Sequence, residues 1–450
     1  MSAQVTRPGI LELARGLAAL ALVAGSWLAL RELGLVKERG GPLFALGFLV
    51  LAGSVGGTAA AFLGLPRLVG YLLAGLAAGP AGAGFIHGDE VKALSLVNVL
   101  ALALISLQAG AELTMPVLRR TWRSVGFSAI AQLLIVIPSL ALLFWLLKPF
   151  IPFARELPTG ALAGVAVVWG ALAFVRSPAV TLAVISELRA KGPLTDWSLG
   201  ISVVLDVLIL PLFAVALGFA RTQVLGEAFD THLLVAMGDE LFASFAAGIT
   251  FGLLIGVLFR FITSERILLV VVLAYGVTAL CGYLHYDTLF AFMVAGCVVS
   301  NLTRAGPALI HTSETTSGAV MIVFFATAGA KLELAALFEL WPVVLALFAG
   351  RILASAIAAR VGSRLAGDPP AVRDNGWWVL VSQAGVAIGL ATVAAEALPG
   401  VGAPLASLVV AVVALNTVFG ASALKLALGR AGEPGGAKEG TDVPAGTPPT

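Results

Sequence analysis

Asp206 stands near the middle of an apolar run, Leu199 to Ala220, that is long enough to cross a bilayer. An ionisable side chain at that depth costs a few kcal/mol, so a carboxylate kept there points to a protein that handles charge. Ser202, four residues earlier, shares its helix face and could add an oxygen ligand. Upstream, Arg176-Ser177-Pro178 interrupts a second apolar segment. Proline removes a backbone donor and breaks the helix ahead of it. The freed carbonyls, with the hydroxyls of Ser177 and Thr181, are hard oxygen ligands of the kind Na⁺ or K⁺ takes, and half-helix ends add partial charges. For Pro178 alone, an ordinary membrane-helix kink is an equal reading. A broken helix beside a helix with one buried acid is the equipment of an ion-coupled transporter.

Arg176 and Arg351 are also deep within apolar segments, and Lys331 lies near a span end. A structural ion pair of Asp206 with Arg351 or Arg176 is the alternative to a transport role. Asp206 reads as the only deep acid. Arginine keeps its proton, so Arg351 would be a fixed countercharge and not a proton carrier. A second run, Ser382-Gln383-Ala384-Gly385 onward to Gly389, can unwind or pack closely.

The elements that must position these residues are apolar helices. The chain has 450 residues, 59% hydrophobic and 12% charged. Soluble domains carry about 25% charged residues, so this composition belongs to an all-α, polytopic membrane protein. No Lys/Arg cluster is interleaved with aromatics, which argues against nucleic acid as a partner. Cys281 and Cys297 fall in apolar stretches and imply neither a disulfide framework nor a metal site. The histidines lack ligand spacing, and no nucleophile–base arrangement stands out. The expectation is no metal, no cofactor beyond the transported cation and proton, and no enzymatic activity.

At roughly 20 apolar residues each, about fourteen spans fit. Residues 1–40 read as an extra N-terminal helix and loop, 41–430 as the transport domain, and 431–450 as a Gly/Pro-rich, disordered tail. An even count puts both termini on one side. That side collects the basic residues, Arg119, Arg120, Arg123, Arg364 and Arg373 among them, which makes it cytoplasmic. A weak symmetry relates about 43–219 to about 266–428, with 233–260 as connector. It sets Ser177-Pro178 against the Gln383–Gly385 segment, and Asp206 against Asn416. Interrupted helices at matching positions point to a binding site near the midplane.

These residues resemble a known family. The run Pro66 to Gly75, closing with Gly79-Pro80, is similar to the third-span signature of the monovalent cation:proton antiporter-2 family, the Kef-like and NapA-like sodium/proton exchangers. Gly110-Ala111-Glu112, Ser177 to Glu187, Val203-Val204-Leu205-Asp206, Phe324 to Gly329 and Gly350-Arg351 match in order and spacing. The resemblance covers about Gly41 to Ala427. It implies a NhaA-like fold with inverted repeats, two crossing broken helices, a scaffold domain and a mobile core. It also implies a homodimer and elevator-like alternating access. Asp206 matches the essential aspartate, Ser177 and Thr181 the crossover, and Arg351 the basic residue that is usually Lys. Leu205 replaces a residue often polar or acidic, Gln383 and Gly385 stand where Arg and Glu are common, and Arg176 stands where a small polar residue is usual. If both arginines faced Asp206, the site would favour an anion.

The expected function is exchange of Na⁺, K⁺ or Li⁺ for protons, by competition at Asp206, in a bacterial inner membrane. A transporter of an organic anion on the same fold, or a non-transporting sensor or scaffold, is the alternative.

Overall fold

Long runs of Leu, Val, Ala and Ile leave the backbone one local way to satisfy itself in hydrocarbon, the helix. The computed structural model describes residues 10–32, 41–227, 231–262, 264–284, 286–332, 335–383 and 385–435. Ala384, residues 1–9 and 33–40 of the expected N-terminal part, and 436–450 of the expected tail lie outside them. Among the described residues every regular element is helical. Nine segments there are long and apolar enough to cross a membrane by length and composition. Of the other five among the expected fourteen, three correspond to Arg67–Ala78, Thr288–Leu302 and Gly385–Ala397, which are apolar but short, and two to Ile10–Glu32 and Gly306–Ala330, which are long but not among the nine.

One order of elements occurs twice, short connecting turns of helix aside. From Gly41 the chain forms Gly41–Phe62, the short Arg67–Ala78, Ser95–Glu112 and the long Met115–Leu146. An interrupted segment follows, Thr159–Phe174 then Pro178–Leu188, and then Pro193–Leu225, which carries Asp206. After Thr231–Phe261 come Arg266–Leu284, the short Thr288–Leu302, Gly306–Ala330 and Trp341–Ala366. A second interrupted segment, Pro370–Val379 then Gly385–Ala397, precedes Gly402–Ala431, which carries Asn416.

Packing sorts these helices. Both interrupted segments and the long helices Met115–Leu146, Pro193–Leu225, Trp341–Ala366 and Gly402–Ala431 share one large core. Thr231–Phe261, Arg266–Leu284 and Thr288–Leu302 pack in a second, and Ser95–Glu112 contributes to both. Of the most apolar window of Thr159–Leu188, 94% is buried. A broken helix is tolerated at membrane depth only where protein shields its open backbone, and this one is so shielded.

Close approach of Gly41–Phe62 to Arg67–Ala78 depends on Gly56 and Gly70. A Cβ on either would run into the main chain of the other. Gly70→Val is expected to destabilise the fold by about 1–3 kcal/mol or more, by overpacking. Thermal unfolding in detergent measures this, and an unchanged midpoint would refute the close-packing argument.

The chain beyond the last helix folds back onto the helix that holds Asp206. Glu433 accepts from Leu194 N and Thr195 N, each at 2.8 Å, and from Thr195 Oγ1 at 2.6 Å. A carboxylate there satisfies donors that a helix N-terminus leaves open and suits its positive end. Disorder was expected from Ala431 onward; residues 431–435 are instead held by these bonds and by Gly435 N to Leu188 O at 2.9 Å.

Candidate ion-binding site between the interrupted helices

The first interruption follows from proline. Ser177 is extended (ψ 102°), as the residue ahead of a proline prefers, and Pro178 opens the second half-helix at a position that needs no N–H. Ser177 caps that half-helix, its Oγ accepting from Val180 N at 3.2 Å. The Thr181 hydroxyl lies 3.0 Å from Ser177 O and 3.1 Å from Ser202 Oγ. The structure therefore brings Ser177, Thr181 and Ser202 into one linked group. The second interruption has no proline. It runs from Leu380 through Gln383, and Gly420 of the last helix leaves room for the main chain of Ser382.

Each interruption leaves carbonyls without helical partners, and side chains take them. Arg351 donates from Nε to Ala173 O at 2.9 Å and from Nη2 to Val175 O at 2.9 Å. Its Nη1 reaches Val381 O at 2.7 Å and Asn416 Oδ1 at 2.9 Å. One guanidinium thus bolts the two interruptions together. Arg176 donates to Ala173 O and Val175 O, both at 3.0 Å, to Gln132 Oε1 at 3.0 Å and to Ser355 Oγ at 2.7 Å. Gln383 Nε2 donates to Leu172 O at 2.8 Å, and Asn416 Nδ2 to Gln383 Oε1 at 3.0 Å. Thr417 Oγ1 donates to Gln383 O at 2.6 Å.

These bonds correct two expectations. The carbonyls freed before Pro178 were expected to serve a cation; those of Leu172, Ala173 and Val175 already accept from Gln383, Arg351 and Arg176. The two arginines were weighed as partners of Asp206. The polar partners they bond are main-chain carbonyls, Asn416, Gln132 and Ser355, and no salt bridge to Asp206 forms among the described residues. Both charges sit at the C-terminal ends of half-helices, where a cation offsets the negative end of the dipole.

Asp206 meets the other ends. Its Oδ1 is closed to solvent and has no hydrogen-bond partner. A void of about 20 Å³ is lined by Asp206, Arg176, Ser106, Ser177, Pro178 and Gly385 among others, so Arg176 borders the site although its guanidinium bonds elsewhere. Pro178 and Gly385 each open a half-helix, so two partly positive N-termini border the carboxylate's void. Gly385 thus borders the site, while Gln383 and Asn416 serve the frame behind it. Lys331 is exposed and lines a separate cavity of about 520 Å³ with Asp287 and Asn98.

Two polar residues escaped the sequence reading. Ser106 borders the void from Ser95–Glu112. Asp287 lines a further void of about 10 Å³ together with Asp206, so Asp206 is not the only deep acid. The signal for Asp287 was an Asp directly ahead of a short apolar run, an N-cap pattern. Its Oδ1 accepts from Phe290 N at 2.7 Å.

A membrane protein with paired interrupted helices around a carboxylate with one enclosed, unpartnered oxygen has the architecture of a secondary transporter. A family model for the transmembrane sodium/hydrogen exchangers matches residues 48–428. The chain belongs to that family, and it is a cation:proton antiporter. Two solved structures of MjNhaP1, the sodium proton antiporter of Methanocaldococcus jannaschii, are similar in fold. One, at pH 8, has a TM-score of 0.65 at 16% identity and covers 87% of this chain and 99% of that chain. The other, an electron-microscopy map, has a TM-score of 0.66 at 18% identity and covers 86% and 95%.

Proposed function

We propose that a monovalent cation, Na⁺, Li⁺ or K⁺, and the proton compete for Asp206 during alternating access. The observation that carries this is the Asp206 carboxylate, with an unpartnered oxygen, beside the N-terminal ends of two half-helices. Protonated, it is neutral and crosses without a cation; ionised, it holds one. Ser177 supplies a further oxygen, supported by Thr181 and Ser202, and Ser106 faces the same void. Pro178 and Gly385 set the half-helix ends. Arg351 and Arg176 act as fixed positive charges that hold the interruptions. The arginines' bonds to carbonyls, Gln132, Ser355 and Asn416 support the cation reading over the organic-anion one.

The repeats, about 43–219 and 266–428, joined by 233–260, are read as inversely related. Homodimeric assembly, a bacterial inner-membrane location and cytoplasmic termini follow from the resemblance and the distribution of basic residues. Crosslinking in membranes and cysteine accessibility at the termini test these.

Exchange should be electroneutral, one cation for one proton, since one carboxylate carries both. In proteoliposomes with a clamped pH gradient, an imposed potential should leave Na⁺ flux unchanged. A potential-driven flux that disappears in Asp206→Asn would overturn the one-carrier reading.

A further inference from the structure

Asp287 is held as though for a purpose beyond capping. Thr288–Leu302 has 15 residues. At 1.5 Å per residue it spans about 22 Å, short of the ~30 Å hydrocarbon core, so its cap is recessed. The carboxylate caps through Oδ1, and the Asp287 N–H donates to Ser244 Oγ of Thr231–Phe261 at 2.8 Å. Asn or Ser would cap as well. What they would lack is charge.

That charge stands in a wall. The 520 Å³ cavity and the small void beside Asp206 share Leu210, Asp287, Leu289 and Val386 as lining residues. Asp287 alone among these has a polar side chain, and Asp206 does not line the cavity. An ion crossing an otherwise apolar wall would lose its hydration with nothing in return. The void is about one water in size, enough for a single bridging molecule between the two carboxylates.

We propose that Asp287 is a transfer station: it takes the proton or monovalent cation from the cavity and passes it to Asp206. For the proton, the Asp287 carboxyl releases it to the void's water as that water gives one to the Asp206 carboxylate. Charge moves from one carboxylate to the other and none is created. The inference rests on the antiport reading and adds a residue that positions the ion on one face only.

The test compares Asp287→Asn, Asp287→Ser and Asp287→Glu in right-side-out and inside-out vesicles, following proton movement as Na⁺ or Li⁺ is added. Asp287→Asn should keep its thermal midpoint, because asparagine still caps the helix, and should lose maximal rate, because an amide cannot relay the proton. Its KM should rise about tenfold, the worth of one charge-assisted contact, with cation on the cavity's face and stay unchanged on the other. Asp287→Glu should restore most of the loss. A wild-type KM on both faces in Asp287→Asn overturns the proposal, as does an equal rise on both. A fall in thermal midpoint in Asn and Ser alike, both of which keep the cap, would make the Asp287 charge a structural one and overturn the proposal. Wild-type vesicles without cation-dependent proton movement would overturn the antiport reading itself.

Discussion

Asp206→Asn abolishes cation-dependent proton movement and leaves the fold intact. Asparagine keeps the shape of the side chain but can neither release a proton nor offset a cation. Loss of a group that both carries and exchanges the transported charge should cost on the order of 10²-fold or more in rate. Stability should not fall, because Oδ1 has no partner in the fold to lose. The comparison is a pH-indicator assay in proteoliposomes alongside thermal unfolding of the same preparation. A folded variant that still moves protons on addition of Na⁺, K⁺ or Li⁺ as the wild type does would end the central assignment.

Arg351→Gln has the opposite signature, a collapse of stability. The substitution strips donors from Ala173 O, Val175 O, Val381 O and Asn416 Oδ1, all in a buried setting. Ala173 O and Val175 O keep Arg176 as donor, while Val381 O and Asn416 Oδ1 lose theirs; each buried acceptor left open costs about 1–3 kcal/mol, so the two together are a sizeable part of a protein's total stability. Arg351→Lys keeps the charge but not the planar fork, and should recover only part of the loss. Thermal midpoints in detergent rank the three proteins. A wild-type midpoint in Arg351→Gln would mean that the guanidinium does not bind the interruptions together. The same reasoning applies to Arg176, which the sequence suggested as a determinant of ion choice. Its bonds to Gln132, Ser355 and two carbonyls make Arg176→Ser a stability variant first.

What could be read from the sequence was local or compositional. Asp206 stands out because hydrocarbon is a poor solvent for charge, and Pro178 because a proline cannot continue a helix ahead of it. The second interruption was found by its alignment with the first and by its glycines, though no proline marks it. What could not be read is where side chains point. Arg351 reaches Ala173 across 178 positions of chain, and nothing local to Gly350-Arg351 indicates that direction. Asp287 stands at the end of a span, where an acid is ordinary in sequence. Its recessed position depends on the shortness of the helix it caps and on Asp206 packing opposite, a tertiary fact.

The position of Asp206 away from two large cavities bears on speed. The 520 Å³ cavity holds Lys331 and Asp287; another, of about 730 Å³, is lined by Arg67, Tyr71, Glu187 and Lys425. Asp206 lines neither. On the alternating-access reading, passage waits for a rearrangement in every cycle. Such motions take microseconds to milliseconds, which sets a ceiling far below that of an open pore. Flux should saturate and rise steeply with temperature, and planar-bilayer recordings should show no unitary current steps.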